Sequence, residues 1–185
     1  MITTLGIIVV AMGMALLAVV AIFNRLVLLR QMVRESWSGI DVQLKRRHDL
    51  IPNLIETVKG YMAHEQKVLA SVTELRAQSI NAGSGSSKAA AENQLSAALK
   101  TLFAVAEAYP DLKANQSFLE LQKNLSDIED QLQMARRYYN GAVRALNTVI
   151  ESFPSNLVAR KAQFPSVDYF EVESAIERQT PEVKF

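Results

Sequence analysis

The residues able to do chemistry are few. There are two histidines, His48 and His64, and no cysteine. Without a thiol there is no disulfide scaffold, thiolate zinc site, cysteine nucleophile or lipid-modified N-terminal cysteine. His64-Glu65-Gln66-Lys67-Val68 opens like the zinc-protease pattern H-E-x-x-H. Val68 stands where the second histidine would be, so the i, i+4 ligand pair is missing. His48 and Asp49 are neighbours in the chain, and adjacent residues on a helix do not face one another. There is no G-x-S-x-G elbow for a serine nucleophile. The Gly83–Lys88 stretch lacks the spacing of a phosphate loop. Carboxylates are plentiful, among them Glu56, Glu65, Glu74, Glu92, Glu120 and Glu129, but no Glu-x-x-His pair exists to build a di-metal bundle. Most of these acids read as solvated helix faces with Lys and Arg partners one turn away. Glu107, set among alanines and valine before Tyr109-Pro110, is the one expected to be buried and hydrogen-bonded, as a specificity device. No catalytic residue, cofactor or metal ligand is assigned.

Any site would have to be positioned by helices. Leu5 to Phe23 reads LGIIVVAMGMALLAVVAIF, 19 residues without a polar side chain. A bilayer-spanning helix needs roughly 20. A cleavable signal peptide would have a basic n-region and a shorter apolar core. Here Met-Ile-Thr-Thr precedes the run, so a retained anchor is expected. Arg25, Arg30 and Arg34 follow it, with none before it. The positive-inside rule then puts the N-terminus outside and the remainder in the cytoplasm, a body outside being the alternative.

Beyond the span glycines are sparse and no period-2 alternation appears, so strands are not expected. Phe118, Leu121, Leu125, Ile128, Leu132, Ala135, Tyr139, Ala142, Leu146 and Val149 step by 3 and 4, a heptad seam. Ser117 and Glu120 suggest a capping box at its start, and Phe153-Pro154 closes it. A second seam runs through Leu26, Leu29, Val33, Trp37, Ile40, Leu44, Ile51, Leu54 or Ile55, Val58, Val68 or Leu69, Val72 and Leu75. It reads as one helix from the bilayer to about Ser79, bent at Pro52, which cannot donate to the carbonyl of His48. Asn81–Lys88 is a hairpin tip. A third helix is expected over Ala89–Ala108, a break at Tyr109-Pro110-Asp111, and a short acidic helix within Val167–Arg178.

The fold class is therefore all-α: an N-terminal transmembrane helix followed by an antiparallel long-helix bundle of three to four helices with coiled-coil-like seams. The expected divisions are an anchor over 1–24, a helical bundle over 25–158 and a C-terminal segment over 159–185. Sustained heptads call for a completed interface, so a homo-oligomer is expected. Lys45-Arg46-Arg47 reads as a solvated basic patch, or else a contact for anionic lipid or an acidic partner. With Lys+Arg at 20 and Asp+Glu at 19, a broad nucleic-acid face is excluded.

Several stretches resemble the LemA family: Arg46-Arg-His-Asp-Leu-Ile-Pro-Asn-Leu-Ile-Glu-Thr-Val-Lys-Gly-Tyr61 with His64-Glu65, then Ala91-Glu-Asn-Gln-Leu95 and Ala106-Glu-Ala-Tyr-Pro-Asp-Leu-Lys-Ala-Asn115. Ala135-Arg-Arg-Tyr-Tyr-Asn140, Phe153-Pro-Ser-Asn-Leu-Val158 and Tyr169-Phe-Glu-Val-Glu173 complete the likeness. The resemblance covers nearly all of residues 24–185. It implies a bacterial protein with one N-terminal span and a long-helix bundle, with no established enzymatic activity. Members of the family are often encoded near membrane zinc metalloproteases, so the resemblance points toward membrane quality control.

The expected function is a membrane-anchored scaffold or adaptor, acting by self-association and protein–protein contact without catalysis, with the bilayer as one partner. The alternative is an accessory subunit of a membrane protease or other envelope quality-control complex. The residues expected to build structure or docking surface are Trp37, Arg46, Arg47, His48, Asp49, Pro52, Glu107, Tyr109, Pro110, Leu125, Leu132, Tyr139, Phe153, Pro154, Tyr169 and Phe170.

Overall fold

The computed structural model describes residues 2–83 and 85–170. Six helices and no strand occur among them: α1 (Ile2–Lys59), α2 (Gln66–Asn81), α3 (Ser86–Ala106), α4 (Pro110–Lys113), α5 (Gln116–Glu151) and α6 (Ser155–Lys161). The all-α class and the long-helix architecture stand. The helix expected after the tip begins at Ser86 rather than Ala89. Most of the acidic helix expected within Val167–Arg178 lies outside the described residues, and 167–170 are not helical.

The long N-terminal helix is shorter than expected. It ends at Lys59 rather than near Ser79, and the chain turns through Gly60–Glu65 before α2. The apolar positions already held the reason. Val58 to Val68 is a step of ten, and every way of filling it with threes and fours lands on polar His64 or Glu65, with Gly60 close by. Met62 folds under the turn and is fully buried, with its N–H bonded to the carbonyl of Val58 at 2.9 Å. Pro52, in contrast, sits inside continuous helix. The carbonyl it leaves without a helical donor, that of His48, takes a 2.8 Å hydrogen bond from Nε of Arg76 on α2. A helix tolerates an interior proline at lower cost when another group satisfies the freed acceptor.

The chain divides into two compact units, one of Met1–Ile40 with Met134–Asp168, the other of Asp41–Gln133 with Tyr169 and Phe170 among the described residues. In the second unit, hydrogen bonds between helices fix the directions. Arg76 and Ser79 of α2 meet His48 of α1, while Tyr109 after α3 reaches Glu65 and Asn115 reaches Tyr61. Gln131 of α5 meets Arg46. These pairings make an up-down-up-down four-helix bundle from the end of α1, α2, α3 and the start of α5. Its core joins Ile51, Leu54 and Val58 to Val72, Leu95, Leu99, Leu102, Leu112, Phe118 and Leu125. Each such side chain stabilises by roughly 1.5–3 kcal/mol through burial. The tip between α2 and α3 turns on Gly85, at φ +76°, a conformation open to glycine at little cost. The start of α5 is capped by Asn115, whose Oδ1 accepts from the N–H of Phe118 at 3.0 Å, and not by Ser117 as the sequence suggested.

The first unit holds the apolar start of α1, the end of α5, and α6. Leu26, Val33 and Ile40 are buried on α1, and Tyr139, Ala142, Val143 and Leu146 on α5. Trp37 packs edge-on against Tyr139, with ring centroids 5.2 Å apart. After α6 the strap 164–168 returns along α5. Phe164 contacts Phe23 at 6.0 Å and lies under Arg30 at 4.9 Å. Val167 exchanges two hydrogen bonds with the Asn147 side chain, and the carbonyl of Asp168 accepts from the Tyr139 hydroxyl. Residues Leu5 to Val20 remain largely exposed. This stretch makes α1 the one helix among the described residues long and apolar enough to cross a membrane.

Candidate functional site

Among the described residues the most polar interior lies in the four-helix unit. Arg47, His48, Ser79 and Glu92 are all buried, Ser79 and Glu92 completely. Each fills a slot that helical spacing assigns to the core. Arg47 and His48 fall between Leu44 and Ile51 on α1, Ser79 follows Val72 and Leu75 on α2, and Glu92 precedes Leu95 and Leu99 on α3.

The Glu92 carboxylate is the hub. Its Oε1 accepts from His48 Nε2 at 2.8 Å and from the Ser79 hydroxyl. Its Oε2 faces Nη1 of Arg47 at 3.4 Å. The same guanidinium donates to Ser96 Oγ at 2.7 Å and pairs with Glu129 of α5 at 3.4 Å. Two adjacent residues of α1 can thus serve one carboxylate, because its two oxygens face different ways. Lys88 closes the α2 side with a 2.7 Å bond to the Ser79 carbonyl. All four long helices are tied at one level. Burial alone would raise the Glu92 carboxyl, but the hydrogen bonds from His48 and Ser79 and the charges of His48 and Arg47 outweigh it, and the group lies below its ordinary range.

This arrangement has the members of a Ser-His-carboxylate triad but not its relay. One imidazole nitrogen, Nε2, lies against both Ser79 Oγ, at 3.2 Å, and Glu92. A triad uses opposite nitrogens for the two partners, so that a proton passes through the ring. Ser79 is also inaccessible to any substrate. Among the described residues no group of three or more His, Asp or Glu side chains is placed to hold a metal ion. A groove of about 490 Å³ between α3 and α5 is lined by Arg47, Ser96 and Glu129 of the cluster together with Leu99, Phe103 and Leu125.

The sequence readings fare unevenly here. Arg47 and His48 come together with Glu92, whereas Asp49 points to solvent and Arg46 is exposed, bonded to Gln43 and Gln131. The basic triplet is therefore not one solvated patch, since Arg47 is inside. Glu107 is exposed beyond the end of α3, so the expectation of a buried carboxylate there is wrong. Glu92, read as a surface acid, holds that role, because the stripe that continues back from Leu95 places it inward. Tyr109 is part-buried against Glu65, and Pro110 opens α4 at its first position. Burial and the Glu65 carboxylate push the Tyr109 phenol up. Leu125 and Leu132 are buried within a single chain. In the other unit Trp37 and Tyr139 meet, while Phe153 and Pro154 are exposed at the turn after α5. Tyr169 is exposed and Phe170 buried. Arg76 and Ser96 carry no signal of type or spacing in the sequence, Ser79 none but its place in the α2 stripe, and Glu129 reads there only as one of the surface acids.

Comparison with known proteins adds an independent line. A family model described as LemA family matches residues 36–185. The chain is 29% identical over 147 residues to Protein LemA of Metamycoplasma hominis, covering 79% of this chain and 67% of that protein. It is 23% identical over 179 residues to Magnetosome protein MamQ of Magnetospirillum gryphiswaldense, covering 83% of this chain and 66% of that protein. Magnetosome protein MamQ 2 of Paramagnetospirillum magneticum is 24% identical over the same extent. The chain thus spans just under two thirds of the length of these MamQ relatives. The family match takes in every residue of the buried cluster, from Arg47 to Glu129, and the chain belongs to the LemA family.

Proposed function

We propose that the chain is a membrane-anchored helical scaffold or adaptor that acts by self-association and protein–protein contact, without catalysis. The observation that carries this reading is the closed state of the Arg47–His48–Ser79–Glu92 cluster. His48, Ser79 and Glu92 spend their hydrogen bonds on one another, and Ser79, the one nucleophile among them, is fully buried. Such a cluster fixes the register of four helices and gives a rigid body. The apolar run Leu5–Phe23 supplies the anchor. Arg25, Arg30 and Arg34 support a cytoplasmic bundle at the inner membrane with the N-terminus outside. The names of the relatives state no reaction.

Leu125 and Leu132 are consumed inside the chain, so self-association has to use surface residues. Met134 and Tyr138, exposed one turn apart on α5, are suited to it. The test is the mass of the full-length protein in mild detergent, by light scattering corrected for bound detergent. A defined oligomer that Met134→Glu/Tyr138→Glu dissociates is the expected result. A monomer that captures no membrane protein on crosslinking in native membranes would overturn the proposal.

A further inference from the structure

The two units differ in charge. Met1–Ile40 with Met134–Asp168 carries eight Lys and Arg against three Asp and Glu, while Asp41–Gln133 carries ten against twelve. The excess positive charge lies in the unit that contains the apolar run.

Within that unit, contacts fix which residues share the level where the run ends. Trp37 meets Tyr139, and Phe164 meets both Phe23 and Arg30. The strap from Phe164 to Asp168 passes Asn147 and then Tyr139, so α5 runs antiparallel to α1 and its later residues lie nearer the apolar run. From the Trp37–Tyr139 contact, twelve residues back along α1 reach Arg25, and twelve forward along α5 reach Glu151. At 1.5 Å per residue both lie about 18 Å from that contact. The turn Ser152–Pro154 and the start of α6 therefore stand level with Phe23 to Arg25.

What they present there is amphipathic. Phe153 is 80% exposed and Leu157 58% exposed, without a cover in the unit. Arg160 and Lys161 form the last turn of α6, and both are exposed, as is Arg25. Exposed aromatic and aliphatic side chains beside cations, at the level where an apolar span ends, match the chemistry of a headgroup layer. Rings and leucines enter the acyl boundary while cations meet phosphates.

We propose that the α5–α6 turn and α6 form an interfacial foot, which inserts Phe153 and Leu157 into an anionic bilayer and sets Arg25, Arg160 and Lys161 on its phosphates. The proposal rests on the membrane-anchor reading above and adds a second, lipid-selective attachment. The occupant is the surface of the bilayer that the anchor crosses. Continuity with the span and opposite charge both specify it.

The absence of cysteine makes a direct test available. Full-length Phe153→Cys, Leu157→Cys, Met14→Cys and Ser126→Cys proteins, each labelled with an environment-sensitive fluorophore, are reconstituted into phosphatidylcholine vesicles. A parallel set contains about 30% phosphatidylglycerol. Quenching is read with doxyl lipids from the membrane and with iodide from water. The expected result is doxyl quenching at 14, 153 and 157 and iodide quenching alone at 126. Phosphatidylglycerol should increase the doxyl quenching at 153 and 157, and Arg160→Glu/Lys161→Glu should abolish that increase. Iodide quenching at 153 in both compositions, with 14 still lipid-quenched, overturns the foot and leaves the anchor standing. Iodide quenching at 14 overturns the anchor itself. Protection of 153 from both quenchers assigns the turn to a protein contact and also overturns the foot.

Discussion

The unit built on Asp41–Gln133 and the unit of Met1–Ile40 with Met134–Asp168 differ in how they specify a helical packing, although each buries an arginine, Arg47 in one and Arg136 in the other. The first buries an ionised hub, Glu92, and satisfies it from neighbouring helices. The second sets aromatic rings against one another, Trp37 on Tyr139 and Phe23 on Phe164, and ties its strap with neutral hydrogen bonds from Tyr139 and Asn147. A buried charge tolerates almost no misregister, because each lost partner leaves a desolvated ion. Ring contacts have a broad optimum and cost less to shift. The lesson is that position, and not only hydrophobicity, is specified more sharply in the first unit than in the second.

That contrast can be broken most forcefully at its hub. Glu92→Ala leaves Arg47 and His48 buried without their carboxylate and should cost about 3–5 kcal/mol, read from thermal or denaturant unfolding. A loss within error of zero would remove the cluster from the argument. The same group sets an acid limit. Its folded pKa is depressed, so its contribution is complete above the unfolded value and is lost as pH falls through the folded one. Glu92→Gln should flatten that part of the stability–pH curve. Next in size, Leu125→Ala and Leu132→Ala should each cost about 2–5 kcal/mol, with the mass of any oligomer unchanged. A changed mass with unchanged melting would make the seam intermolecular. Arg76→Met should cost about 1–3 kcal/mol by stranding the His48 carbonyl. Pro52→Ala should offset part of that cost by restoring a helical donor, so a double-mutant cycle should show coupling. The smallest effect belongs to the other unit. Tyr139→Phe should cost about 0.5–1.5 kcal/mol through its bond to the Asp168 carbonyl. Burial, then the Asp168 charge, raises the Tyr139 phenol, so its contribution is present below the unfolded value and fades as pH rises through the folded one. The two units should thus weaken at opposite ends of the pH scale.

The sequence made the helices legible because their apolar steps of three and four are long and unbroken, as from Phe118 to Val149. It misled at Gly60, where a preference for continuity past Pro52 overrode a missing step in the pattern. The site was half legible. Arg47 and His48 drew notice as a motif, but Glu92 was read by type, as an acid belonging on the surface. Its slot in the stripe was the better guide, since Glu92, Leu95 and Leu99 share one face of α3. The partners contributed by Ser79, Ser96 and Glu129 depend on how separate helices are brought to one level, which periodicity within a helix does not encode. Asn115 shows the same limit at smaller scale. The S-x-x-E pattern at Ser117 pointed two residues too far on, and Asn115 is the side chain that caps the helix.

The division of the chain also dictates an order of assembly. Most of one unit is written between residues 41 and 133, with Tyr169 and Phe170 joining it later, while the other is split around that stretch. During synthesis, the segment with Glu92 and all its partners is complete before Tyr139, Asn147 and Phe164 exist. Domains fold as units while chains emerge at about 5–20 residues per second, so the nested bundle has a head start of seconds. Trp37 and Phe23 wait for partners that arrive last. A stop codon after residue 133 would therefore keep Glu92 with all its partners and leave Trp37 and Phe23 without Tyr139 and Phe164.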